Sequence, residues 1–279
     1  MTESITIERS KLFQIINTLP GFGTYIFSFA IISLGIETFL CGVFPGTLLI
    51  ASNKEIPVIP WLPAVPAIAL LSGAIWVICG TGLLSRRTAF VSSIVLSGLF
   101  FLFTLIIDVP NNIANIMSIS LRTRLFEPLT IACLAFLLPG LESMPKILVN
   151  ICRYLLALSL IVFGIDHFLA LAFIATLLPA WIPWHTFRVA FFGAGFIAAG
   201  LSIAFNLFHR LGAACIGLMF AVWVITLHLP RVLGLYPIPG ASGDPNEWSS
   251  LFIAAALWGG FWAYSNVLKP DKKMMDNKR

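Results

Sequence analysis

The sequence predicts an all-α polytopic membrane protein, with eight transmembrane helices arranged as two parallel four-helix repeats. The composition, the spacing of the apolar runs and an ordered similarity between the two halves carry that prediction. The chain has 279 residues, of which 59% are hydrophobic and only 10% charged, and its mean hydropathy is +0.97. A soluble domain carries about 25% charged residues. So few charges cannot coat a water-soluble protein of this length, which excludes a soluble enzyme, a nucleic-acid binder and a disordered chain. Lipid then replaces water as the main solvent, and helices satisfy the backbone within it.

A helix needs about 20 apolar residues to cross the hydrocarbon core. Residues 22–44, 64–84, 88–109, 126–146, 152–173, 187–208, 211–230 and 249–268 meet this need. The fourth is the weakest, since its apolar run from Leu129 to Leu141 is interrupted by Pro139-Gly140. The first is too long for a signal-peptide core and is followed by no small-residue cleavage site, so it reads as a retained helix.

The charge of +5 follows from topology rather than from a polyanionic partner. With eight spans, the two tails and the loops after the second, fourth and sixth helices hold twelve Lys and Arg, while the opposite side holds five: Lys54, Arg122, Arg124, Arg188 and Arg231. The positive-inside rule places both termini in the cytoplasm, and the plasma (inner) membrane is the expected location. The cysteines at 41, 79, 133, 152 and 215 include no CxxC and no close pair, so neither a disulfide framework nor a cysteine zinc site is expected.

The halves, 1–146 and 147–279, match in order. Gly35-Ile36-Glu37-Thr38-Phe39-Leu40 parallels Gly164-Ile165-Asp166-His167-Phe168-Leu169 at an offset of 129. Trp61-Leu62-Pro63 parallels Trp181-Ile182-Pro183 at an offset of 120, followed by Gly73 and Gly80 on Gly193 and Gly200, Asp108-Val109-Pro110 on His228-Leu229-Pro230, and Glu127 on Glu247. Four spans return the chain to its starting side, so the halves point the same way and are related by an axis along the membrane normal. The glycines in the second helix of each half, Gly73, Gly80 and Gly82 and Gly193, Gly195 and Gly200, suit close helix packing in lipid.

These residues resemble the DoxX family. The resemblance lies in the Gly164-Ile165-Asp166-His167-Phe168 segment, Pro179-Ala180-Trp181-Ile182-Pro183 before the next helix, the glycines within that helix, and Leu227-His228-Leu229-Pro230-Arg231 at the end of the one after. It is best over 154–265; the first half reads as a more divergent copy. It implies a helical bundle and, as in some relatives, association with quinone-linked sulfur oxidation or other redox systems. The lack of paired cysteines speaks against a thiol–disulfide role.

The chemistry-bearing residues gather at the outer ends of the helices. Glu37 lies about 22 Å along its helix, and Asp166 occupies the equivalent place in the fifth. A carboxylate at that depth costs about 2.5–3.5 kcal/mol on insertion scales and turns toward a partner or cavity. Asp166 is expected to pair with Arg188, with His167 the second choice, and the halves are expected to pack through Glu37 and Asp166. Asp108 and His228 close the third and seventh helices, each two residues before a proline. Trp181 belongs to the outer interface, and Arg122, Arg124 and Arg231 suit lipid phosphates. An outer pocket is expected near Asp166, His167, Trp181, Arg188 and His228, with Glu37 and Asp108 as further candidates. No HxxxH or ExxH spacing points to a metal, and no nucleophile elbow or phosphate loop points to catalysis. No intrinsic cofactor is expected; quinone or lipid is the candidate ligand, and membrane lipids and subunits of a membrane redox complex are the candidate partners, with no nucleic acid. Three function classes remain: a redox-associated subunit that binds quinone or docks an oxidoreductase, a transporter or lipid carrier, and a structural subunit of a larger complex.

Overall fold

The computed structural model describes residues 19–41, 66–113, 116–235 and 245–269. Lys54, the Trp61-Leu62-Pro63 motif and both basic tails lie outside them. The described residues are helical, with no strand. The helices are α1 (Gly23–Cys41), α2 (Pro66–Leu83), α3 (Ala89–Phe103), α4 (Ile119–Leu137), α5 (Lys146–Leu169), the short α6 (Leu171–Leu177), α7 (His185–Phe205), α8 (His209–Trp223) and α9 (Pro245–Val267). Among the described residues, five stretches are long and apolar enough to cross a membrane: Gly23–Cys41, Ala89–Ile106, Lys146–Leu169, His185–Phe205 and His209–Val232.

The bundle is apolar inside and outside. Phe27, Trp76, Phe100, Phe261 and Tyr264 are fully buried, whereas Phe29, Leu71, Ile78, Leu105, Phe191 and Ile225 stand exposed on the outer faces. Water would oppose such a surface and hydrocarbon accepts it. The helices close into a ring, in which α1 packs on α2, α2 on α3, α3 on α4, α4 on α5, α5 on α7, α7 on α8 and α8 on α9. Helix α9 returns to α1, and α4 meets α9 across the middle.

Glycines set two equivalent close crossings. A Cβ on Gly35 would sit 2.6 Å from the Gly73 carbonyl oxygen, and one on Gly164 would sit 2.6 Å from that of Gly193. Backbone therefore touches backbone between α1 and α2 and between α5 and α7. Two further helices widen at their ends, α3 into a π-helical segment Thr104–Asp108 and α8 into Val224–His228. Each is followed by a short turn with proline at its second position, Pro110 or Pro230. A proline cannot donate to the carbonyl four residues back, and the i to i−5 bonds of Val109 to Thr104 and Leu229 to Val224 carry the chain across the gap.

Two boundaries differ from the sequence reading. The fourth helix runs Ile119–Leu137 rather than 126–146, because Arg122, Arg124 and Glu127 depress hydropathy in a segment that turns them inward. The fifth begins at Lys146 and ends at Leu169, and residues 171–177 form the separate helix α6.

Candidate ligand cavity

The polar residues of α4 shape the site. Arg122, Arg124 and Glu127 lie within its first three turns, and Pro128 follows inside the helix. Pro128 has no N–H, so the Arg124 carbonyl lacks its usual helical donor there. Arg122 points toward α5. Its Nε donates to Asp166 Oδ1 at 3.0 Å, a second guanidinium nitrogen completes the ion pair, and the third donates to the carbonyls of Ile116 at 2.9 Å and Met117 at 3.0 Å. Asp166 is thus paired with Arg122, which corrects the expectation of Arg188. Arg188 is half-buried and donates its Nε–H to the Pro183 carbonyl at 2.8 Å. Its side chain is spent on its own helix start, whereas the earlier beginning of α4 brings Arg122 within reach of α5.

His167 is buried beside this pair, its ring centre 5.0 Å from that of Phe196 and 5.2 Å from that of Trp223. Its Nδ1 lies 2.7 Å from the Phe163 carbonyl oxygen. A carbonyl only accepts, so Nδ1 carries the hydrogen, and in the neutral ring Nε2 is the acceptor. Among the described residues, that Nε2, Oδ2 of Asp166 and Nε1 of Trp223 are buried without a hydrogen-bond partner.

Asp166, His167 and Trp223 all line a cavity of ≈ 850 Å³ built by α4 to α9. This falls in the range of small-molecule sites, about 300–1,000 Å³. Its wall is mostly apolar, with Phe163, Phe173, Phe196, Phe220 and several leucines. On the α4 side it is polar, with Ser118, Ser120, Thr123, Arg124 and Glu127. Arg124 and Glu127 are half-buried, three residues apart on one helix face. Neither makes a hydrogen bond or ion pair among the described residues, and Arg124 is the charged neighbour of both Glu127 and Asp108.

The other sequence candidates lie elsewhere. Trp181, Arg188 and His228 are not wall residues of this cavity. Trp181 is exposed in the turn before α7, and His228 closes its π segment near Arg231. Arg231 itself pairs with Glu247 at 2.5 Å. Asp108 is buried in the π segment after α3. Glu37 is buried, accepts a hydrogen bond from the Ser249 hydroxyl through Oε1, and lines a separate pocket of ≈ 370 Å³ with Ile36, Leu40, Cys41, Trp248 and Phe252. Both deep carboxyls therefore bond across the halves, Glu37 to α9 and Asp166 to α4.

Sequence reasoning missed Glu127 as a site residue. The signal that could have found it is Arg122-x-Arg124-x-x-Glu127 inside an otherwise apolar helix, a run of charges too costly to leave facing lipid. It also missed that Cys133 on α4 and Cys152 on α5, both buried, are neighbours in the core. Among the described residues no group of three His, Cys, Asp or Glu side chains is placed to hold a metal. No family model, curated protein or solved structure matches the chain.

Proposed function

We propose that this chain is an integral membrane binding protein that holds a lipophilic amphiphile in the cavity between α4 and α9, with no catalysis of its own. One observation carries the reading: the cavity joins an aromatic, leucine-rich wall to a polar strip on α4 and α5. A tail gains from the first and a head from the second. The resemblance to the DoxX family adds a redox association, in which the amphiphile is a quinone or lipid and the partner an oxidoreductase docked at the outer face. A transporter is the second reading, favoured by the paired π-helical segments, since such bulges recur at functional sites.

The accompanying architecture is eight spans in the inner membrane, both termini cytoplasmic, formed by a duplicated four-helix unit. Contacts at equivalent places support the duplication: Gly35 on Gly73 and Gly164 on Gly193; Gly80 on Ser28 and Ile32, Gly200 on Ala157 and Ile161. The two π segments fall at the offset of 120 read from the sequence.

The test is co-purification. Protein extracted with its surrounding lipid in a polymer disc should retain one amphiphile enriched over the bulk membrane. Ala170→Trp, which places an indole at the cavity wall, should abolish that enrichment without lowering the unfolding temperature. A wild-type lipid profile equal to the bulk membrane would overturn the reading. Proton-coupled uptake of a solute into vesicles would favour the transporter.

A further inference from the structure

We infer that the occupant of this cavity is an uncharged ring compound bearing a hydroxyl group, recognised by Glu127. The inference rests on the binding function proposed above and names its ligand class. Glu127 lies one turn further from the start of α4 than Arg124, in a wall it shares with Phe163, Phe196, Phe220 and Leu257. It is half-buried and makes no hydrogen bond or ion pair among the described residues. A polar group left in such surroundings gains strongly from a partner brought by the ligand.

The surrounding chemistry selects what that partner is. In and beside the cavity, Arg122 is already paired with Asp166, and Arg124 is the charged neighbour of both Asp108 and Glu127. An anionic head is therefore disfavoured. A cationic head would have to leave water for an aromatic wall while Arg124 stands one turn away, and like charges repel. A neutral head remains. Among the described residues, the cavity's buried atoms without a hydrogen-bond partner are the acceptors Oδ2 of Asp166 and Nε2 of His167 and the donor Nε1 of Trp223, and Glu127 and Arg124 make no hydrogen bond. A hydroxyl both donates and accepts, so it serves both sets. An oxidised quinone only accepts, so it would serve Arg124 and Trp223 and leave the acceptors unmet, whereas its reduced, hydroxyl-bearing form would serve both. The wall rings favour a ring beside the hydroxyl over a glycerol backbone, because aromatic pairs gain beyond their buried area.

The experiment uses full-length protein in phosphatidylcholine nanodiscs and measures binding over empty discs. The probes are 4-decylphenol, its methyl ether 4-decylanisole, 4-decylbenzoate, decylammonium and 1-decanoylglycerol. The phenol should bind at least about tenfold tighter than the anisole, the loss expected when a buried acceptor goes unmet. Glu127→Leu should bring the two within about twofold of each other, with binding of the anisole retained. Equal affinities of phenol and anisole in the wild-type protein would overturn the inference while leaving the binding function in place. So would tighter binding of the benzoate or the ammonium. Tighter binding of 1-decanoylglycerol would overturn the ring. Failure of every probe to bind would remove the cavity function and this inference with it.

Discussion

Arg122 and Asp166 form a buried ion pair between α4 and α5, and it holds the polar wall of the cavity in place. The side chains are 13% and 5% exposed, and the same guanidinium bonds the two carbonyls that precede α4. Removing one partner of such a pair leaves an uncompensated charge, at a cost of about 3–5 kcal/mol. Arg122→Leu should therefore destabilise strongly, while Arg122→Leu with Asp166→Leu should recover most of the loss. Chemical denaturation in a fixed lipid mixture measures both. Additive losses in the double variant would show that the two side chains are not coupled.

The glycine crossing of α5 and α7 makes a second prediction. Gly164→Val should cost about 1–3 kcal/mol through overpacking, because its Cβ would meet the Gly193 carbonyl oxygen and the Ile197 side chain. Gly195→Ala on the same α7 should be tolerated, since nothing lies within 4 Å of the added carbon. Thermal unfolding compares them, and equal effects would place the crossing elsewhere.

Cys133 and Cys152 report the packing of α4 on α5. In a chain retaining only these two cysteines, copper-phenanthroline oxidation should remove both free thiols together, read by the loss of two maleimide mass shifts. Retention of both thiols after prolonged oxidation would mean that the α4–α5 register is different.

The two deep carboxyls should differ in function. Asp166 and His167 line the larger cavity, while Glu37 lines the smaller pocket between α1 and α9. Replacing His167 with Phe or Asp166 with Asn should weaken retention of the co-purifying amphiphile about tenfold, the scale of one lost buried hydrogen bond. Replacing Glu37 with Gln should change it little. Equal losses from both places would favour a purely structural role for the carboxyls.

Much of the fold was legible because local rules act on single segments. The apolar runs located the helices, and Gly73 and Gly193 read as close-packing positions, though their partners Gly35 and Gly164 did not. Asp108-Val109-Pro110 and His228-Leu229-Pro230 pointed to matched helix ends, though not to their π geometry. The start of α4 was obscured because hydropathy counts Arg122, Arg124 and Glu127 against a helix even when they face inward. Once that start moved, a guanidinium taken for a loop residue came within reach of Asp166. The site was legible in Asp166 and His167 alone. Glu127, Arg124 and Trp223 join them only through the packing of α4, α5 and α8, and chain spacing does not encode that meeting.

The most direct test of the account is a cryo-electron microscopy map of the full chain in lipid nanodiscs, carrying its native co-purified lipid. The account predicts continuous density between Glu127 and His167, walled by Phe196, Phe220 and Trp223, and lost in Ala170→Trp. A map in which Phe173 and Leu177 collapse onto α4 and fill that space, with Arg122 still paired to Asp166, would keep the fold and contradict the binding function.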